Sequence, residues 1–113
     1  MNISDYILEQ SNCNIGFVTR NRRTSNFCRD MLIDRLTGRV PIYAYRTEYI
    51  YLDETKLTLR LLRYDNFECD LMGKTFKTLF VHKDFPHSER FFIVQHAWPH
   101  FPGSIKDIKY FKY

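Results

Sequence analysis

Residues 40–64, VPIYAYRTEYIYLDETKLTLRLLRY, decide the reading of the fold. From Val40 the hydrophobic pattern takes a period of two, the spacing of a strand with one buried face. In 41–52, Tyr43, Tyr45, Tyr49 and Tyr51 share one parity. Ile42, Ala44, Arg46, Glu48, Ile50 and Leu52 share the other. Asp53 to Thr55 reads as a turn. Residues 56–64 then alternate again, with Leu57, Leu59 and Leu61 pointing one way and Thr58, Arg60 and Leu62 the other. Two strands joined by a short polar turn form an antiparallel pair.

Upstream of this pair, Phe27, Met31, Leu32 and Leu36 recur at helical spacing. Thr24 or Ser25 supplies a cap, Gly38 sits where a helix ends, and Pro41 forbids continuation, so a helix is predicted over 25–37. Asn21 to Arg23 reads as a basic loop and Ile15 to Thr19 as a short strand. Residues 11–16 read as a loop, and Ser4 caps a short first helix carrying Tyr6, Ile7 and Leu8. Downstream, Asp65–Asn66 and Gly73 mark turns around a short pairing at 67–71. Residues 75–83, with Phe76, Phe80 and His82 on one parity, make a third main strand that Pro86 ends. The run Phe91, Phe92, Ile93, Val94 suggests a nearly buried fourth strand over 89–98. Trp98 to Gly103 is a loop, and 105–112 is an edge strand protected by lysines. The expected architecture is α+β: one or two N-terminal helices packed on an antiparallel sheet of four to five strands. Residues 1–113 are expected to form a single compact domain.

Composition supports a packed domain. The 113 residues are 44% apolar and 27% charged, a globular rather than a disordered balance. No apolar run approaches the ~20 residues of a membrane span. Cys13, Cys28 and Cys69 are odd in number and widely spaced, which fits neither a disulfide framework nor a C-x-x-C site. Met1 to Gln10 carries Asp5 and Glu9 and does not read as a signal peptide. A cytoplasmic location is expected, with the three thiols as buried or half-buried side chains.

Charge is unevenly placed. Residues 1–46 carry +3, 47–73 carry −3 and 74–113 carry +4. Arg20, Arg22, Arg23 and Arg29 fall within ten residues that contain no acid, and Lys106, Lys109 and Lys112 add a second basic group. Such clusters neutralise phosphates and release counterions, or they are simply solvated. The tyrosine stripe Tyr43, Tyr45, Tyr49 and Tyr51 offers flat rings that stack unpaired bases or anchor a protein partner, unless the helix covers that face. These features predict a small binding protein that engages nucleic acid, RNA before DNA, or a nucleoprotein. A protein partner is the alternative, as for an inhibitor or adaptor of the viral or mobile-element type that binds a host protein. No membrane partner is expected, and oligomeric state is not legible.

A catalytic reading rests on Glu48, Arg60 and His82, one on each of three predicted strands. A carboxylate base, a guanidinium that holds phosphate and an imidazole acid would suffice for metal-independent RNA cleavage through the 2′-hydroxyl. The chain order of helix, Glu strand, Arg strand and His strand is similar to that of the small microbial ribonucleases of the barnase type. The tract Arg46-Thr47-Glu48-Tyr49-Ile50 faintly resembles their glutamate strand. The resemblance covers about a third of the chain, and it implies an endoribonuclease using these three residues. His96 is an alternative acid. His96 and His100 stand four apart but flank Pro99, which argues against a helical metal site. Glu54-Thr55-Lys56, after Asp53, has the spacing of a metal-dependent nuclease triplet but falls in a predicted turn. No P-loop, G-x-G-x-x-G, H-E-x-x-H or G-x-S-x-G occurs, which excludes kinases, dehydrogenases and serine hydrolases. No cofactor and no metal are implied.

Overall fold

The computed structural model describes residues 2–71, 73–101 and 103–112. In chain order the elements are α1 (Ile3–Leu8), β1 (Cys13–Thr19), α2 (Arg22–Leu36), β2 (Ala44–Tyr45), β3 (Tyr49–Leu52) and β4 (Leu57–Arg63). They continue with α3 (Phe67–Leu71), β5 (Thr78–His82), α4 (His87–Ala97) and β6 (Ile108–Phe111). The six strands form one mixed sheet in the order β2-β3-β4-β1-β5-β6. The chain is thus α+β, with helices on a sheet, but the expected antiparallel sheet of four to five strands is corrected. β1 lies parallel to β4 and to β5, β5 lies parallel to β6, and antiparallel pairing is confined to β2-β3-β4.

The reason lies in the crossovers. Parallel neighbours need a long connection, usually helical, and two such connections read as strands in the sequence. The predicted strand over 89–98 is helix α4. The predicted pairing at 67–71 is helix α3. In α4, Ile93 and Ala97 are buried whereas Phe91 and Gln95 are exposed, a helical rather than an alternating pattern. A short apolar run does not distinguish the two. The predicted strand over 41–52 is likewise two strands, β2 and β3, with a turn between them.

The registers assign each strand residue to a face. Phe17 stands between Leu61 and Phe80, and Val18 between Leu62 and Val81. On the first face, Phe17, Leu59, Leu61 and Phe80 pack with Ile3 and Ile7 of α1 and with Cys28, Leu32 and Leu36 of α2. On the second, Val18, Leu62, Leu79 and Val81 pack with Phe67 and Leu71 of α3 and with Ile93 and Ala97 of α4. β5 is buried at every position, as expected of a strand covered on both faces. Gly16 of β1 belongs to the second face, where a Cβ would lie 2.6 Å from Leu79 Cδ2 and 3.0 Å from Leu62 Cδ1.

The helix starts also differ from expectation. Asn2, not Ser4, caps α1 and accepts from the Ser4 amide at 2.9 Å. Asn21, not Thr24 or Ser25, caps α2, and Thr24 occupies the third helical position in a reciprocal capping box. The predicted end of α2 holds: Thr37 is the C-cap and Gly38 takes φ 84°. The edge strand near 105–112 is β6. Pro102, part of the predicted loop, lies outside the described residues.

Candidate functional site

In open sheets with parallel strands, ligands meet the carboxyl ends of the strands where the chain departs in opposite directions. Here β1 leads into α2 on the first face, and β4 leads through α3 on the second face into β5, on the other side of β1. The carboxyl ends of β1, β4 and β5 therefore define the place to look.

At the end of β1, only Arg20 and Asn21 precede α2. Their amides both donate to Thr24 Oγ1, at 3.1 and 3.0 Å, and the Thr24 amide donates to Asn21 Oδ1 at 3.0 Å. A phosphate cradle needs a longer, glycine-rich loop with free amides. This turn is short, lacks glycine and uses those three amides internally. Arg20 is also occupied. Its guanidinium makes two contacts with the Glu89 carboxylate, at 2.8 and 3.1 Å, and lies 5.0 Å above the Phe85 ring. The Glu89 partnership raises its pKa further. Arg20, Thr24, His82, Asp84 and Phe85 line a cleft of about 240 Å³ here.

A second, smaller cleft wraps the end of β4. β3 begins at Tyr49, opposite Arg60, so β4 runs on past its neighbour. The Leu61 amide donates to Glu48 O at 2.8 Å, and the Arg63 amide to Asp70 Oδ2 at 2.9 Å. Asp70 Oδ1 accepts from Asn66 at 3.1 Å, so this carboxylate serves the backbone and α3. Arg22 and Ser25 of α2, Glu48 of the β2–β3 turn, Arg60 and Arg63 of β4, and Lys74 after α3 share the lining. Arg60 Nε is buried with no hydrogen-bond partner among the described residues, and a buried donor left unsatisfied costs about 1–3 kcal/mol. Arg22 and Arg23 occupy the first turn of α2, which holds no acid. Cations there oppose the helix dipole.

Beside this cleft the second face of the sheet is open. Tyr49 stands opposite Arg60 and Tyr51 opposite Thr58, and all four are half-buried while Ile50, Leu57 and Leu59 on the reverse are fully covered. The helix α2 covers that reverse face, leaving these tyrosines accessible. The expected four-tyrosine stripe is nevertheless broken. β2 pairs Ala44 with Tyr51 and Tyr45 with Ile50, which sets Tyr45 on the opposite side from Tyr49 and Tyr51. Tyr43 and Tyr45 are exposed at the sheet edge, and the Tyr43 ring meets Tyr51 edge-on at 5.9 Å.

The other predicted residues are dispersed. Arg29 is paired with Asp30 at 3.0 Å on α2. Lys109 is paired with Asp107 at 3.2 Å on β6, the edge opposite β2. Lys106 lines a cleft with Asn12, Lys56 and Lys77, and Lys112 follows β6. Glu48 and Arg60 share the small cleft, but the registers set Arg60 on the second face and His82 on the first, so the three do not meet. His82 is buried against Phe111, and its Nδ1 accepts from the Asp84 amide at 3.1 Å. Burial lowers its pKa, Lys112 adds to that, and Asp84 opposes it. His96 sits on α4 with Nε2 2.7 Å from Glu68 Oε1. Lys56 holds Asp53 at 3.1 Å within the turn. Among the described residues no three His, Cys, Asp or Glu gather as metal ligands, and no helix is long and apolar enough to cross a membrane. Cys28 is buried and Cys13 half-buried, and burial raises both thiols; Cys69, contrary to expectation, is exposed.

Sequence reasoning missed Arg63 and Lys74. Nothing in their local patterns marks them, because only the β4 crossover brings them beside Arg22.

No protein-family model matches the chain, and neither does any curated protein sequence. Among solved structures, it is similar in fold to the large terminase of a thermophilic bacteriophage, determined in complex with ADP. The TM-score is 0.62 at 16% identity, over 92% of this chain and 27% of the terminase chain. The chain thus spans about a quarter of that protein's length, and the likeness is one of fold.

Proposed function

We propose that this chain binds single-stranded nucleic acid on the open face formed by β3 and β4. The observation that carries the reading is the placement of half-buried Tyr49 and Tyr51 on the strand paired with β4, with Tyr49 directly opposite Arg60, which lines a cleft rich in cations. Flat rings stack on bases regardless of sequence, and nearby cations track the backbone. Arg22, Arg23, Arg60 and Lys74 form no ion pair among the described residues, so their charge is available to phosphates.

A nucleotide-binding reading, which the ADP complex of the terminase suggests, is weaker. The β1–α2 turn has its amides engaged and is two residues long. The ribonuclease reading loses support for a different reason, the separation of Arg60 from His82.

The test is a salt series of binding to labelled single-stranded and duplex RNA and DNA. Single strands should bind in preference to duplex, and affinity should fall as salt rises. Replacing Arg22 and Arg23 by alanine should reduce the single-strand salt slope by about 1.4, at ~0.7 for each phosphate no longer neutralised. Tyr49→Ala and Tyr51→Ala should each cost ~1–3 kcal/mol of binding. No affinity at low salt, or affinity indifferent to salt, overturns the reading. Salt-resistant capture of one protein would then favour the inhibitor or adaptor alternative.

A further inference from the structure

The small cleft at the end of β4 differs from the open face beside it in size and in charge. Its volume is about 50 Å³, and at ~10–15 Å³ per water-sized occupant that is room for roughly three to five. A phosphate group fits such a space, whereas a nucleoside does not. Four cations line it, Arg22, Arg60, Arg63 and Lys74, against the carboxylates of Glu48 and Asp70. Asp70 is committed to the Arg63 amide and Asn66, and Arg63 reaches Asp65 only at 3.8 Å. The lining thus carries two more positive than negative charges. In Arg60 it also has a buried Nε–H donor that finds no acceptor among the described residues. Ser25 and Thr47 add hydroxyls to the wall.

We infer that this cleft receives the dianionic phosphate at the terminus of a nucleic-acid strand. A phosphodiester inside a strand carries one negative charge and is flanked by sugars on both sides. A terminal phosphomonoester carries up to two and is flanked on one side only, which matches both the charge surplus and the limited space. The guanidinium groups of Arg60 and Arg22 supply the forked donors that phosphate oxygens accept, and Lys74 acts as a point charge. The inference rests on the proposed binding of single strands, with the cleft setting which end of the strand is held and Tyr49 and Tyr51 receiving the adjoining bases. The same chemistry is offered by a 5′- or a 3′-terminal phosphate, and these are separated experimentally.

The experiment compares one single-stranded RNA sequence bearing a 5′-phosphate, a 3′-phosphate or no terminal phosphate, by anisotropy, with inorganic phosphate tested separately by thermal shift. One phosphorylated end should bind about tenfold more tightly than the unphosphorylated strand. Lys74→Gln and Arg60→Lys should each weaken binding of the phosphorylated strand far more than binding of the unphosphorylated one, and so remove most of that preference. Arg60→Lys keeps the charge and loses Nε, so it distinguishes a built site from a general field, and Lys74→Gln alters a residue outside every helix and strand. If all three strands bind alike, the inference is overturned and the single-strand reading stands. If no strand binds but phosphate raises the melting temperature in a manner that Lys74→Gln abolishes, the phosphate site stands and its nucleic-acid source falls. If neither probe binds, both are overturned.

Discussion

The two faces of the β3–β4 hairpin are built from alternate residues of one sequence and meet opposite fates. On the first face Ile50, Leu52, Leu57 and Leu59 disappear beneath the N-terminal helices. On the second, Tyr49, Tyr51, Thr58 and Arg60 stay half-buried, because α3 and α4 cover Leu62, Leu79 and Val81 but stop short of β3. One face is committed to folding, and the other retains side chains whose surface is still available. The amphipathic choice of residue mirrors this: leucine and isoleucine inward, tyrosine and arginine outward, where a ring or guanidinium works half in water.

The sharpest way to break this comparison is to truncate one residue on each face. Phe17 is fully buried at the centre of the first face, stacked on Phe80 at 5.1 Å and edge-on to Phe111 at 5.6 Å. Phe17→Ala should cost about 3–5 kcal/mol, from lost transfer energy and the cavity left behind. Tyr51→Ala should cost only about 1 kcal/mol, the range of strand preference at a partly solvated position. Urea unfolding of both variants checks this. Equal losses would mean that the second face is packed as tightly over β3 as the first.

A smaller effect sharpens where the second face closes. Gly16 lies opposite Arg60 on one side and Leu79 on the other, at the border between covered and open sheet. An alanine there would reduce the freedom of the unfolded chain, a gain of about 0.4–1 kcal/mol. Its Cβ would also sit 2.6, 3.0 and 3.1 Å from Leu79, Leu62 and Phe76, and overpacking costs about 1–3 kcal/mol. Crowding wins, so Gly16→Ala should lower the denaturation midpoint. A rise would show that those side chains move aside freely and that the cover over β1 is loose.

The legibility of the sequence follows the same division. Helix α2 is readable because its apolar spacing, its following Gly38 and Pro41 agree, and β4 because Leu57, Leu59 and Leu61 alternate cleanly. The sheet's parallel core is not. Strand direction is set by crossovers, and the crossover α4 contains Phe91-Phe92-Ile93-Val94, a run that suits a buried strand equally well. Reading that run as a strand leads directly to an antiparallel meander. The candidate site is half legible for a related reason. Arg22, Arg60 and the tyrosines announce themselves by type, whereas their grouping depends on register. The β2–β3 turn shifts Tyr45 off the tyrosine face, and the parallel pairing carries His82 to the face opposite Arg60.

His82 supplies the smallest of these tests, and it belongs to the closed side. Buried at the end of β5 beside Phe111, its imidazole accepts from the Asp84 amide through Nδ1, which requires that nitrogen to be unprotonated. Desolvation holds its pKa below the ordinary 6.5, Asp84 pulling upward and Lys112 downward. A group with a lowered imidazole pKa binds fewer protons folded than unfolded between its two pKa values. Stability from this residue is therefore fully present above pH 6.5 and declines as pH falls from there toward the folded pKa, then levels off. His82→Asn keeps an acceptor for the Asp84 amide and removes the titration. Unfolding free energies measured from neutral pH downward should therefore fall more steeply in the parent chain than in the variant. Parallel pH profiles for the two would mean that the imidazole is hydrated in the folded state, and that the first face is open at the carboxyl end of β5 as the second is over β3.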